Sequence, residues 1–164
     1  MRIQLVKNQA FNNKSAARRF AFKFIYKLFL KDFKTELEEY KDDIGKLKAD
    51  IEMFEESYMK EDEEHHDNDI NPSVQSFGNK LITGVIKNFP EIKETASAYI
   101  LKRSFDSVDA IERAIICLGT YEIKFEDTPN NAAINEYINL VKSYGKEESK
   151  SFVNGILDKV SKAQ

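Results

Sequence analysis

Glycine and proline are scarce in this sequence, six and three among 164 residues. So few turn formers argue against a protein built from many short strands, and with 41% hydrophobic and 32% charged residues the balance predicts an all-α fold. There is one cysteine, so no internal disulfide can form. Cys117 lies in the apolar run AIICLG, where a small buried hydrophobe is the natural reading and a reducing cytosol the natural setting. No stretch approaches the roughly 18 uninterrupted apolar residues of a membrane span. The start, MRIQLVKNQAFNNKSAARR, also lacks the charged, apolar and small-residue order of a secretory signal. A cytoplasmic protein is expected. Phosphate-binding and dinucleotide glycine loops, a C-x-x-C pair and an H-E-x-x-H helix are all missing, which leaves neither a familiar active site nor a cofactor site. Acid pairs are plentiful, but at this charge density they are what a solvated helical surface provides.

What the chain does have is charge sorted along its length. Residues 1–34 hold nine Lys/Arg and one acid, residues 36–69 four Lys and fifteen acids, and residues 70–164 twelve of each, for a net charge of -3. Attraction to phosphate depends on clusters within about a Debye length, roughly 8–10 Å, more than on net charge. The N-terminal segment is therefore the candidate nucleic-acid site.

Ser15 is a plausible cap for a first helix, AARRFAFKFIYKLFL, running to about Lys31. Ala17, Ala21, Phe24, Ile25 and Leu28 share one face, while Arg19, Lys23 and Lys27 recur every fourth residue on another. Such a face also suits any solvated helix. Residues 34–60 predict a charged helix or helical pair with a thin apolar stripe of Leu37, Ile44, Leu47, Ile51 and Phe54. The run EDEEHHDND (61–69) has no apolar residue and reads as a solvated acidic insertion. His65 and His66 within it are adjacent on a loop and do not make a preorganised metal site.

After Asn71-Pro72 a helix is expected to break at Pro90 and resume to about Arg103. Asp106-Ser107 then caps VDAIERAIICLGTYEI, whose apolar residues point nearly all round and require a buried position. Thr128-Pro129 opens the next helix, which ends at Tyr144-Gly145 with the glycine in the left-handed region, and EESKSFVNGILDKV forms the last. About seven helices result. Asn154-Gly155 reads as a close helix contact and Asn135 as a hydrogen-bonded internal side chain.

Three separated stretches resemble the NusB family of transcription antitermination factors. SAARRFAFKFIYKLF resembles its N-terminal arginine-rich helix, VDAIERAIICLGTYEIKFEDTPNNAAINEYINLVKSYG its central helix pair, and KEESKSFVNGILDKV its last helix, all in the family's order. Residues 35–70 show no match. The resemblance implies two packed helical subdomains, about 14–89 and 90–162, after a tail over 1–13. It also implies a boxA-type RNA ligand, a small ribosomal protein partner known as NusE, and attachment to transcribing RNA polymerase. It places Arg18 and Arg19 on the arginine-rich motif, Phe152 at an aromatic used for RNA, and Glu148 at a partner interface.

The sequence departs from that pattern at Phe22, where a further arginine is usual, and at Ser151, where a basic residue precedes the aromatic; Lys23, Lys27 and Lys150 are the available substitutes. On the last helix Phe152 falls about 90° from the face of Val153, Ile156, Leu157 and Val160, so stacking on a base and packing on a neighbour both remain open. The other readings are a helical interaction module or homodimer with little RNA binding, and a stand-alone relative of the NusB-like domain of some ribosomal RNA methyltransferases.

Overall fold

Eight helices follow one another among the described residues, joined by short connections. The computed structural model describes the backbone of residues 2–61 and 70–164 and the side chains of 13–60 and 70–164, so the acidic run beyond Glu61, 62–69 with His65 and His66, lies outside it. The helices are α1 (Arg2–Leu30), α2 (Phe33–Asp42), α3 (Ile44–Glu61), α4 (Pro72–Lys87), α5 (Phe89–Ser97), α6 (Ala110–Phe125), α7 (Asn130–Tyr144) and α8 (Glu147–Lys162), with a single 3-10 turn at Phe105–Ser107. The described residues contain no strand.

Helix α1 begins at Arg2, not near Ser15. No glycine or proline precedes Gly45, so nothing stops the helix from extending backwards. The Ser15 hydroxyl, expected to cap the helix, donates instead to Glu136 Oε2 across 2.8 Å. The charged stretch after it is a helical pair, split at Asp43, whose carboxylate accepts from the backbone N–H groups of Gly45 and Lys46. Asn71 caps α4 through a 3.0 Å bond from the Val74 N–H, with Pro72 beginning the helix.

Helix α5 ends at Ser97, short of Arg103. Beyond it the chain turns to bury Ile100, and Lys102 takes a left-handed φ of 73°. Asp109, not Asp106-Ser107, caps α6, accepting from the Ile111 N–H at 2.8 Å. The preceding 3-10 turn buries Phe105 and Val108; Phe105 meets the rings of Phe29 and Phe89 at 6.3 and 6.1 Å, an apolar gain that a longer α6 would forgo.

One continuous apolar core runs through α1, α4 and α6. Helix α6 is buried from Ala114 to Ile123 and packs on α1, α4, α5, α7 and α8. Its neighbours approach closely because of glycines. A Cβ on Gly84 would lie 2.1 Å from the Tyr121 ring, and one on Gly119 would lie 2.8 Å from Leu157. Gly145 ends α7 with an extended φ of -94°, not a left-handed one; its use is room, since a Cβ would meet the Val141 carbonyl at 3.0 Å. Gly155, expected in a close contact, faces open space, and Asn135 is exposed.

Candidate nucleic-acid interface

Helix α1 is so surrounded that, from Ala17 onward, only a narrow stripe reaches water. Ala17, Phe20, Ala21, Phe22, Phe24, Ile25, Leu28 and Phe29 are buried, whereas Arg19 and Lys23 are half-buried and Lys27 and Lys31 exposed. The expected fourfold row of cations thus lies on the solvent edge of this part of the helix, together with the half-buried Tyr26 and the exposed Leu30. Each lysine in the middle of the row lies beside rings from other elements. The Lys23 ammonium is 4.9 Å from the Tyr58 centroid and 5.8 Å from that of Tyr144, and Lys27 is 5.2 Å from Phe54. Cation–π attraction of about 0.5–1 kcal/mol at such sites holds the ammonium groups near the surface without neutralising them. The result sets positive charge beside aromatic rings, of which Phe54 and Tyr144 reach the surface while Tyr58 is buried; charge and exposed ring are the two elements that single-stranded nucleic acid uses for backbone and base. Sequence reasoning found the lysines but not Tyr58 or Tyr144, which arrive from α3 and α7.

Arg18 does not lie on this stripe. It is buried, and its Nε and Nη2 donate to the two carboxylate oxygens of Glu122 at 2.8 and 2.6 Å, with Nη1 3.5 Å from Glu136. The helical turn that puts Arg19, Lys23 and Lys27 outward puts the residue before Arg19 inward, about 100° away. Glu122 also accepts from the Tyr137 hydroxyl at 2.8 Å, so α1, α6 and α7 are tied at one buried point. Burial works to raise the Glu122 carboxyl, but the hydrogen bonds and charge of Arg18 outweigh it and hold the group below the usual carboxylate range. For Arg18, burial opposes the charge, and Glu122 outweighs it in turn. Burial pushes the Cys117 thiol upward, outweighing the opposing charges of Arg113 and Lys93, and keeps it a neutral, unreactive thiol.

On α8, Phe152 is half-buried, packed partly against the core, and its ring lies 4.4 Å from the Arg103 guanidinium. The ring is anchored against the core but not enclosed. Arg103, 44% exposed in its side chain and 3.6 Å from Glu112 Oε2, is a cation that sequence reasoning missed, because the left-handed turn at Lys102 that delivers it to the ring leaves no pattern. Lys150 pairs with Glu147 at 3.1 Å and remains partly exposed, and Glu148 is exposed in the first turn of α8. Among the described residues no group of His, Cys, Asp and Glu is placed to hold a metal, and no helix is long and apolar enough to cross a membrane.

A sequence model of the NusB family matches residues 15–162. The chain belongs to the NusB family. That NusB match spans the stripe on α1, the buried Arg18 cluster and the Phe152 ring together. A transcription antitermination protein NusB from Pseudoalteromonas translucida is 44% identical over 97 residues, covering 58% of this chain and 71% of the relative. The solved T. maritima NusB structure superposes with a TM-score of 0.67 at 27% identity, covering 91% of this chain and 90% of that one. A structure of antitermination factors NusB and NusE in complex with dsRNA shares the fold, with a TM-score of 0.69 at 24% identity over 93% of this chain and 98% of that one.

Proposed function

We propose that this NusB-family protein is a cytoplasmic transcription antitermination factor that binds boxA-type RNA together with the small ribosomal protein NusE and acts on transcribing RNA polymerase, with no catalysis of its own. The observation that carries the reading is the cationic stripe beside aromatic rings on the described part of α1 from Ala17 onward, in a family whose relatives bear the antitermination name. Arg19, Lys23 and Lys27 contact RNA phosphates, and Lys150 and Phe152 extend the surface on α8. Arg18 serves the RNA indirectly by locking α1 against α6 and α7. Glu148, exposed on α8, faces the partner, whose expected basic character suits an acid there. The test is a titration of a labelled boxA-like RNA with the protein, alone and with NusE. The expected result is measurable affinity that NusE strengthens; no binding in either condition would reject the proposal.

A further inference from the structure

Between α1 and α7 lies a groove of about 310 Å³ lined by Ser15, Arg19, Glu136, Asn139, Ser143 and Tyr144. On α7 the lining residues follow the three- and four-residue spacing of one helix face, and on α1 Ser15 and Arg19 are one turn apart. The volume suits one planar ring with its sugar, given that about 150 Å³ accommodates a benzene. At one side stands Tyr144, 36% exposed, backed by Phe22 at a centroid distance of 5.1 Å. A ring backed on one side and open on another is a stacking platform. The flexible Lys23 side chain lies 5.8 Å from its centroid.

The polar groups of the groove are asymmetric. Glu136 is held as a carboxylate acceptor by the Ser15 hydroxyl at 2.8 Å and by Arg18 at 3.5 Å, contacts that do not use its Oε1. Asn139 is exposed on the same face; its backbone carbonyl accepts from the Ser143 hydroxyl at 3.2 Å, leaving its side-chain amide out of that contact. A carboxylate repels phosphate, so a nucleotide entering the groove leaves its phosphate at the Arg19 and Lys23 rim and turns its base edge toward Glu136 and Asn139. Adenine and cytosine present an amino donor that a carboxylate or an amide oxygen accepts, whereas uracil presents a carbonyl oxygen in the corresponding place.

We infer that the α1–α7 groove is a subsite for one unpaired adenine or cytosine of RNA, with Tyr144 as its stacking face and Glu136 and Asn139 reading its amino edge. This rests on the RNA-binding reading above and adds base selectivity at a place that reading does not assign.

The experiment is a set of titrations of the full chain with oligoadenylate, oligocytidylate and oligouridylate of equal length, repeated with Asn139→Ala, Tyr144→Ala and Tyr144→Phe. Wild type binds the adenine and cytosine oligomers more tightly than the uracil one, and Asn139→Ala reduces that preference. Tyr144→Ala weakens all three by about five- to a hundredfold, the range for loss of one stacked base, and Tyr144→Phe restores most of it. Equal wild-type affinity for the three oligomers overturns the subsite while leaving RNA binding intact. So do unchanged affinities in Asn139→Ala and Tyr144→Ala variants that melt as wild type does. No binding of any oligomer overturns the RNA reading itself, and the subsite with it.

Discussion

A guanidinium withdrawn from water keeps its charge only against carboxylates held in place, and Arg18 has two, Glu122 in bidentate contact and Glu136 at 3.5 Å. Removing Arg18 leaves Glu122 a buried carboxylate without its cation, and removing Glu122 leaves Arg18 only the longer contact to Glu136, so Arg18→Ala and Glu122→Ala should each cost about 3–5 kcal/mol in chemical denaturation. The pH dependence has a definite sign. The folded Glu122 carboxyl lies below its ordinary 4.5, so its contribution is present above that value and is lost as pH falls through the folded-state pKa. Acid-induced loss of stability below about pH 4.5 should therefore be less steep in Glu122→Gln than in wild type, once the lower overall stability of the variant is subtracted. A pH profile of unchanged shape would contradict the assignment. The type of Arg18 was legible in the sequence but its surroundings were not, because its partner stands 104 residues away and nothing local distinguishes an inward arginine from its outward neighbour. For Phe152 the sequence left packing and stacking undecided, and the half-buried ring explains why. Phe152→Ala should weaken RNA binding by about 1–3 kcal/mol while costing less stability than the roughly 3–5 kcal/mol of a fully enclosed phenylalanine. A larger stability loss with unaltered RNA affinity would make the ring purely structural.

Helices in this protein are placed by contacts that their own periodicity shows only in part. The all-round burial of α6 could be read from AIICLG and its surroundings, since only a central helix tolerates such a pattern, and the apolar face of α1 was equally visible. Boundaries were harder. Phe105 and Val108 pull the chain into a 3-10 turn where Asp106-Ser107 looked like a cap, and Ser15 is spent on Glu136 where it looked like a helix start. Tertiary contacts outweigh capping preferences of about 1 kcal/mol at both places. Close approach of α4 to α6 is a further demand that periodicity hides. Gly84→Ala would put a methyl group inside the Tyr121 ring, and the ring is held by a 2.8 Å hydrogen bond from its hydroxyl to Glu126. Shifting it should cost about 1–3 kcal/mol or more, measured as a lower denaturation midpoint. A midpoint equal to that of wild type would mean that α4 and α6 sit farther apart.

The sequence carries its net positive charge at one end and its net negative charge in the middle, and folding brings α3 against α1, so rings of an acid-rich element lie beside lysines of the basic one. That juxtaposition is a property of the fold and leaves no pattern in the sequence. Partner binding is expected elsewhere on the surface. Glu148→Lys, at an exposed position, should weaken the complex with NusE and leave RNA binding by the isolated protein equal or slightly better, as titrations of each ligand would show. Full partner affinity in a folded variant would remove Glu148 from that interface. The central claim is that the lysine stripe of α1 neutralises RNA phosphates, and the slope of log affinity against log salt tests it most directly. Each lost contact to single-stranded RNA lowers that slope by about 0.7, so Lys23→Gln combined with Lys27→Gln should flatten it by about 1.4 relative to wild type, with folding retained. A double variant that binds RNA with the wild-type slope would contradict the account.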